Sequence, residues 1–244
     1  MSVAVVVPCF DEAERLDLTG LAELARFADL VVFVDDGSSD ATPLHLDLFA
    51  ATCANVEVVH LPHNVGKAEA VRAGLNHIGD RATVVGYFDA DLATPVSELV
   101  RMAAVLAERP GCEAVLASRV ALLGHAVQRR AIRHYLGRLY ATAASIVLAV
   151  PVYDTQCGAK LFRNGSTLVA ALAEPFPDRW SFDVELLGRL LRPRHGVPAV
   201  APDALVEMPL TAWRDVAGSK LGVGSGVRAL AALAGVRRRM HRRG

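Results

Sequence analysis

Short apolar, β-branched runs at 3–8, 30–35, 56–61, 83–89 and 113–118 alternate along the first half of the chain with helix-length stretches at 12–28, 43–53, 67–79 and 95–108. Runs this apolar are strands buried on both faces. Thr42-Pro43 and Thr94-Pro95 each read as an N-cap followed by proline at the first helical position. Strand, helix, strand, repeated, predicts an α/β fold: a mostly parallel, twisted sheet with helices on both faces. In such sheets ligands bind beyond the carboxyl ends of the strands, at a switch point in strand order. Those ends are Pro8-Cys9-Phe10-Asp11-Glu12, Asp35-Asp36-Gly37-Ser38-Ser39-Asp40, His63-Asn64-Val65-Gly66-Lys67 and Asp89-Ala90-Asp91. Nearly all the unusual polar residues of this half therefore gather on one edge.

The second half is less regular: a long helical stretch at 126–149, a strand-like 157–163, a helix near 182–192, a strand-like 197–207, and a basic end, RRRMHRRG. With 244 residues, 52% of them hydrophobic, the chain can build one large core, with the basic end as an extension. A formal net charge of zero leaves no bulk electrostatic case for nucleic acid. Cys9, Cys53, Cys112 and Cys157 form no CxxC pair, which argues against zinc or a disulfide framework and fits a reducing cytoplasm. The N-terminus has no basic segment ahead of its short apolar run and reads as a first strand, not a signal peptide. The uncharged stretch 139–152 falls short of a membrane span and reads as a core helix.

Side chains at i and i+2 of an extended segment face the same way, so Asp89 and Asp91 lie side by side and repel. Something positive belongs between them. Oxygen-only ligands suit a hard cation, Mg²⁺ or Mn²⁺, which commonly bridges carboxylates to substrate phosphates. The plainer reading has Asp91 shaping the turn before the next helix; Asp35 and Asp36 on the neighbouring strand end favour the metal. A dinucleotide loop is absent after strand one, and Thr94 stands one place late for a DxDxT phosphatase signature. Asp183 and Glu185 are candidate general bases, or two solvated acids on a helix's first turn. Lysine is scarce, and Lys67, Lys160 and Lys220 all fall in the motif loops; Lys160, in a strand-like run, reads as a bystander. Arg130 and Arg133, three apart, share a helix face that could meet a phosphate.

In order, VVVPCFDEAERL, VVFVDDGSSDAT, NVGKAEAVRAG, YFDADLATP and ASR resemble glycosyltransferase family 2 with its GT-A fold. DTQCGAKLF, RWSFDVELL and WRDVAGSKL resemble the dolichyl-phosphate glucosyltransferase and polyprenyl-phosphate mannose synthase branch. The resemblance implies a GT-A domain at 1–225, with a nucleotide-sugar half at 1–120, an acceptor half at 121–225, and a basic C-terminal helix or tail at 226–244. It implies that Pro8, Phe10, Glu12, Val34 and Asp36 hold the nucleoside. Lys67 and Ala90 would lie against the donor, and Asp89 and Asp91 against donor and metal. Arg119, Arg130, Arg133, Arg214 and Lys220 would face phosphates, with Asp91 and Asp183 in the chemistry. The implied reaction is metal-dependent, inverting transfer of a hexose from a UDP-glucose or GDP-mannose type donor to a polyprenyl phosphate. The alternative acceptor is a small hydroxyl compound. The expected location is the cytoplasm, where Arg237, Arg238, Arg239, Arg242 and Arg243 either contact the inner face of a membrane peripherally or form a solvated tail.

Overall fold

The structure, a computed structural model, describes residues 1–127, 131–214 and 223–241, with side chains except at 131–136, 223–230 and 241. Arg130, Lys220, Arg242 and Arg243 lie outside the described residues, as does the side chain of Arg133. Strands β1 (Val3–Cys9), β2 (Leu30–Asp35), β3 (Val56–His60), β4 (Val84–Phe88) and β5 (Ala114–Ser118) alternate with helices α1 (Leu18–Phe27), α2 (Thr42–Ala50), α3 (Lys67–Ile78) and α4 (Val96–Glu108). The second half adds β6 (Ala126–Val127), α5 (Ala131–Leu148), β7 (Ala159–Arg163), α6 (Ser166–Leu172), α7 (Phe182–Leu190), β8 (Leu205–Pro209), β9 (Ala212–Trp213) and α8 (Val223–His241).

One seven-stranded sheet runs β3-β2-β1-β4-β7-β5-β8, and β6 pairs with β9 beside it. Strand β7 is antiparallel to both β4 and β5, while the other neighbours in the large sheet are parallel. Strand order reverses between β1 and β4, so their carboxyl ends flank the switch-point crevice. The period of two along β1 sends Val3, Val5 and Val7 into one core with Leu24 and Leu99, and Ala4 and Val6 into the other with Val71 and Leu75. Each fully buried Val or Leu contributes about 1.5–3 kcal/mol.

Several boundaries differ from the sequence reading for identifiable reasons. Helix α1 starts at Leu18, not near 12, because the Asp17 carboxylate caps it by accepting from the Thr19 and Gly20 N–H groups (3.1 and 3.2 Å). Thr94 does not cap α4; Pro95 holds that position without a side-chain bond. In α2 the helix already includes Thr42, whose hydroxyl accepts from the Glu12 N–H instead. The 197–207 stretch is strand only from Leu205 onward.

The basic end is not a detached tail. Helix α8 buries Leu233, Val236 and Met240 in the core shared with α5 and α7, and leaves Arg237 and Arg238 exposed. Among the described residues no helix is long and apolar enough to cross a membrane. The 139–152 stretch is half core: Tyr140, Ala141, Ala144 and Leu148 are buried, Leu139 and Ile146 exposed.

Candidate active site

Strand β4 ends at Phe88, and Asp89-Ala90-Asp91 forms a turn closed by the Leu92 N–H on Asp89 O (3.2 Å), so the two acids do not have the extended i, i+2 geometry expected of them. The Asp89 N–H donates to Gly158 O (3.0 Å), which fixes the backbone of the DxD turn on the approach to β7. The Asp89 carboxylate lies flat against Gly158, where any Cβ would overlap it. Asp91 Oδ1 accepts from the Ala93 N–H (3.1 Å), so this acid does shape the turn, and Leu92 between them takes a left-handed φ of 47°. Burial first, and the neighbouring Asp89 charge second, push the Asp91 carboxyl above its usual range. The positive charge that the paired acids call for is Lys67: its ammonium lies 2.5 Å from Asp89 Oδ1. Burial works against that ammonium, but Asp89, with Asp183 and Asp91 behind it, outweighs burial and raises its pKa.

Lys67 opens α3, and the end of β2 sets its position. Both oxygens of Asp36 accept backbone N–H groups, from Val65 (2.7 Å) and Gly66 (2.8 Å). Gly66 has φ 96°, a conformation that favours glycine, and the Arg179 side chain lies against it while bonding Asn64 O and Oδ1 (both 3.1 Å). Asp36 thus ties β2 to the loop that carries Lys67. Val34 is fully buried beneath α3, so its side chain belongs to the core and not to a ligand surface. Pro8, Phe10 and Glu12 are half-buried at the end of β1, and Ala90 is buried within the DxD turn.

A second ion pair lies behind the first. Asp183, at the start of α7, is buried, and its Oδ1 accepts from the Lys160 ammonium (2.7 Å) and the Tyr87 hydroxyl. Lys160 also donates to Cys157 O (2.6 Å) and is completely buried. The ammonium groups of Lys67 and Lys160 lie 5.9 and 5.1 Å from the Tyr87 ring centroid. Burial, followed by the Asp183 charge, raises the Tyr87 hydroxyl well above its ordinary value. Lys160 is therefore no bystander, and Asp183 is not a solvated acid. Glu185 is not available as a base either: Oε1 pairs with Arg189 and Oε2 with Arg239 of α8, each at 2.7 Å.

The third layer sits beyond β5. Arg119 forms a fork with Asp154 (2.6 and 2.8 Å), and Asp154 and Tyr153 donate their N–H groups to Glu207 (2.5 and 2.7 Å). Asp154 thus holds Arg119, whose guanidinium also lies 5.6 Å from the Trp213 ring. Sequence reasoning missed Glu98, an apparently ordinary first-turn acid on α4. It is buried and accepts from the Thr211 N–H (2.8 Å), the Thr211 hydroxyl and the Ala212 N–H (3.2 Å). Next along the chain, the Arg214 N–H donates to Ala93 O (3.1 Å), which brings this exposed arginine to the DxD turn.

Among the described residues no cluster of three or more His, Cys, Asp or Glu could hold a metal by itself. The donor set fits a cation that takes only two carboxylates from the protein and the rest of its oxygens from a diphosphate and water. The Lys67 ammonium on Asp89 marks the place where positive charge is accommodated.

The profile of glycosyl transferase family 2 matches residues 4–167. A dolichyl-phosphate beta-glucosyltransferase of Trichomonas vaginalis is 26% identical over 91% of this chain and 68% of its own length. A second one from that organism is 30% identical over 75% of this chain and 57% of its own length. The dolichyl-phosphate beta-glucosyltransferase of Saccharomyces cerevisiae is 26% identical over 91% and 69%. The glucosyl-3-phosphoglycerate synthase of M. tuberculosis superposes with a TM-score of 0.67 at 16% identity, covering 100% of this chain and 81% of that one. A mannosyltransferase from Pyrobaculum calidifontis, solved with GDP-Man and Mn²⁺, gives 0.59 at 21%, covering 99% and 64%. These likenesses show the GT-A fold. A profile match that runs unbroken from β1 into α6, through both sides of the switch point, makes the membership plain: the chain is a glycosyltransferase and belongs to glycosyl transferase family 2.

Proposed function

We propose that this glycosyltransferase moves a hexose from a nucleoside diphosphate sugar to a polyprenyl phosphate, inverting the anomeric carbon, with Mg²⁺ or Mn²⁺ held by Asp89 and Asp91. The Lys160–Asp183 pair carries the reading of the acceptor. A hydroxyl acceptor needs a general base to take its proton. Asp183, the acid nearest that role, already has an ammonium and a phenol on one oxygen. A phosphate acceptor has a second pKa of about 6 and is an anion at neutral pH, so it attacks without a base. Relatives named for transfer to dolichyl phosphate support the same class.

The donor would lie over the β1–β4 crevice, its nucleoside against Pro8, Phe10 and Glu12 and its diphosphate at the DxD turn. A bound divalent cation supplies Lewis-acid neutralisation of the leaving diphosphate. Lys67 adds a mobile ammonium to that charge, and Ala90 gives a small, buried floor. On the acceptor side Arg214, tied to the turn through its backbone N–H, would turn its guanidinium to a phosphate, and Arg119 orders the wall through Asp154 and Trp213. Residues 1–120 and 121–225 would thus serve mainly donor and acceptor, and Arg237 and Arg238 would rest on the inner face of a membrane. The test is incubation with UDP-glucose or GDP-mannose, each with Mg²⁺ or Mn²⁺, and a short polyprenyl phosphate. Nucleoside diphosphate release matched by sugar in the lipid phase, with the anomer inverted by NMR, is the expected outcome. Release driven only by hydroxyl compounds refutes the acceptor, and a retained anomer refutes the stereochemistry.

A further inference from the structure

Asp89 carries two neighbours that differ in freedom. Its backbone is bonded to Gly158 O, and its carboxylate lies against Gly158 with no room for a Cβ. Gly158 therefore closes one side of the carboxylate, and Lys67 pairs with it. Lys67 has a rigid anchor, the Gly66 loop held by Asp36 and Arg179, but its side chain is 37% exposed on a flexible four-carbon stem. We infer that Lys67 is a placeholder: its ammonium neutralises Asp89 in the free protein, opposes a divalent cation arriving alone, and turns to the diphosphate when donor and cation arrive together. The inference rests on the reading of Asp89 and Asp91 as the cation site and deepens it.

The reasoning is electrostatic. A divalent cation between Asp89 and Asp91 would sit beside an ammonium already 2.5 Å from one of its ligands, and like charges at such range repel strongly. Without a diphosphate the ammonium has no better partner than Asp89. A diphosphate provides one, and it also completes the oxygen shell that two carboxylates leave short. Cation and nucleotide affinities are then coupled, each raising the other.

The experiment measures Mn²⁺ binding by the loss of its free EPR signal, with and without UDP or GDP, on wild type, Lys67→Met, Lys67→Gln, Lys67→Arg and Asp91→Asn. Thermal melts verify that each variant is folded. For Mn²⁺ alone, Lys67→Met and Lys67→Gln should bind about tenfold tighter than wild type, whereas Lys67→Arg should stay weak. The same neutral variants should bind the nucleoside diphosphate about tenfold more weakly. A purely structural role for Lys67 would not move the two affinities in opposite directions. If Asp91→Asn abolishes Mn²⁺ binding but the neutral Lys67 variants match wild type, the placeholder is refuted and the cation site stands. If Asp91→Asn binds Mn²⁺ with nucleotide as well as wild type does, the cation site itself is wrong and the placeholder falls with it.

Discussion

Gly158→Ala tests how closely the DxD turn depends on the strand beside it. The backbone of Gly158 lies outside the left-handed region, so alanine introduces no conformational strain; the effect is steric alone. Its new Cβ would overlap both oxygens and the Cγ of Asp89. The Asp89 N–H bond to Gly158 O holds the two backbones together at 3.0 Å, so the half-exposed carboxylate is the part that yields. It would swing off Lys67 and out of register with Asp91. A displacement near 1 Å at a reacting centre costs about 10²-fold in rate. Overpacking relieved mostly by a surface rotation should cost about 1 kcal/mol, the low end for such changes. In a chain of this size that lowers Tm by about 2–4 °C. Steady-state kinetics with the donor varied, beside a thermal melt, reads both. Gly111→Ala is the control, since a Cβ there meets nothing within 4 Å, and both readouts should match wild type. A Gly158→Ala enzyme within about threefold of wild-type kcat/KM would refute the claim that Gly158 sets the Asp89 carboxylate.

Asp91→Asn should abolish turnover with the melt and circular dichroism unchanged; near wild-type rates at saturating Mg²⁺ and Mn²⁺ would overturn the metal assignment. Lys160→Met or Asp183→Asn alone leaves a buried group unpaired and should cost about 3–5 kcal/mol in urea unfolding; combining Lys160→Met and Asp183→Leu with Tyr87→Phe, which removes the hydroxyl that also bonds Asp183, should recover most of it, and single losses below about 1 kcal/mol would contradict the pair's burial. Burial lowers the His60 pKa, but the hydrogen bonds its ring donates to the Asp47 and Asp35 carboxylates outweigh it and raise the group above its ordinary 6.5. Its contribution to stability is therefore complete below that value and lost as pH rises through the raised one. Tm should fall over that window in wild type and stay flatter in His60→Gln, and equal slopes would remove His60 from the account. Arg237→Glu with Arg238→Glu should weaken flotation with anionic liposomes, at about 1 kcal/mol per residue. A truncation after Gly235 would be a poor substitute because it strips Val236 and Met240 from the core.

The first half was legible because buried parallel strands announce themselves: an uninterrupted run such as Val3–Cys9 has few other readings. The need of Asp89 for a positive partner was legible from two close charges after a buried strand, but the turn that carries them was not. Lys160 was misread for the opposite reason. A lysine in a strand usually points to water, and its partner Asp183 is 23 residues away on a helix, a pairing that no local pattern displays. The scarcity of lysine in an arginine-rich chain was the available signal: Lys67 and Lys160 each stand in an ion pair with an aspartate. Glu98 was hidden by its helix position, since a first-turn acid already has a sufficient local explanation. Besides Arg101 on the same helix, its partners are Thr211 and Ala212, 113 and 114 residues further on. Glu185 was misassigned because a guanidinium from the C-terminal helix could not be placed from sequence.

The antiparallel strand β7 has an implication for how the protein comes into being. Strands β4 and β5 are consecutive in the sheet-forming half, yet they do not touch; β7 fills the slot between them. During synthesis the first half emerges with that slot open, and both flanking strands present unpaired edges until a segment about forty residues further on inserts. Only then does Gly158 come up beside Asp89 and Lys160 beneath Tyr87. An incomplete chain thus has the acids of the turn but not the neighbours that aim them. A severed N-terminal half should be aggregation-prone and unable to hold a nucleotide sugar. The two halves are therefore not modules that evolution could exchange freely, because Asp89 of the first packs against Gly158 of the second and Tyr87 against Lys160.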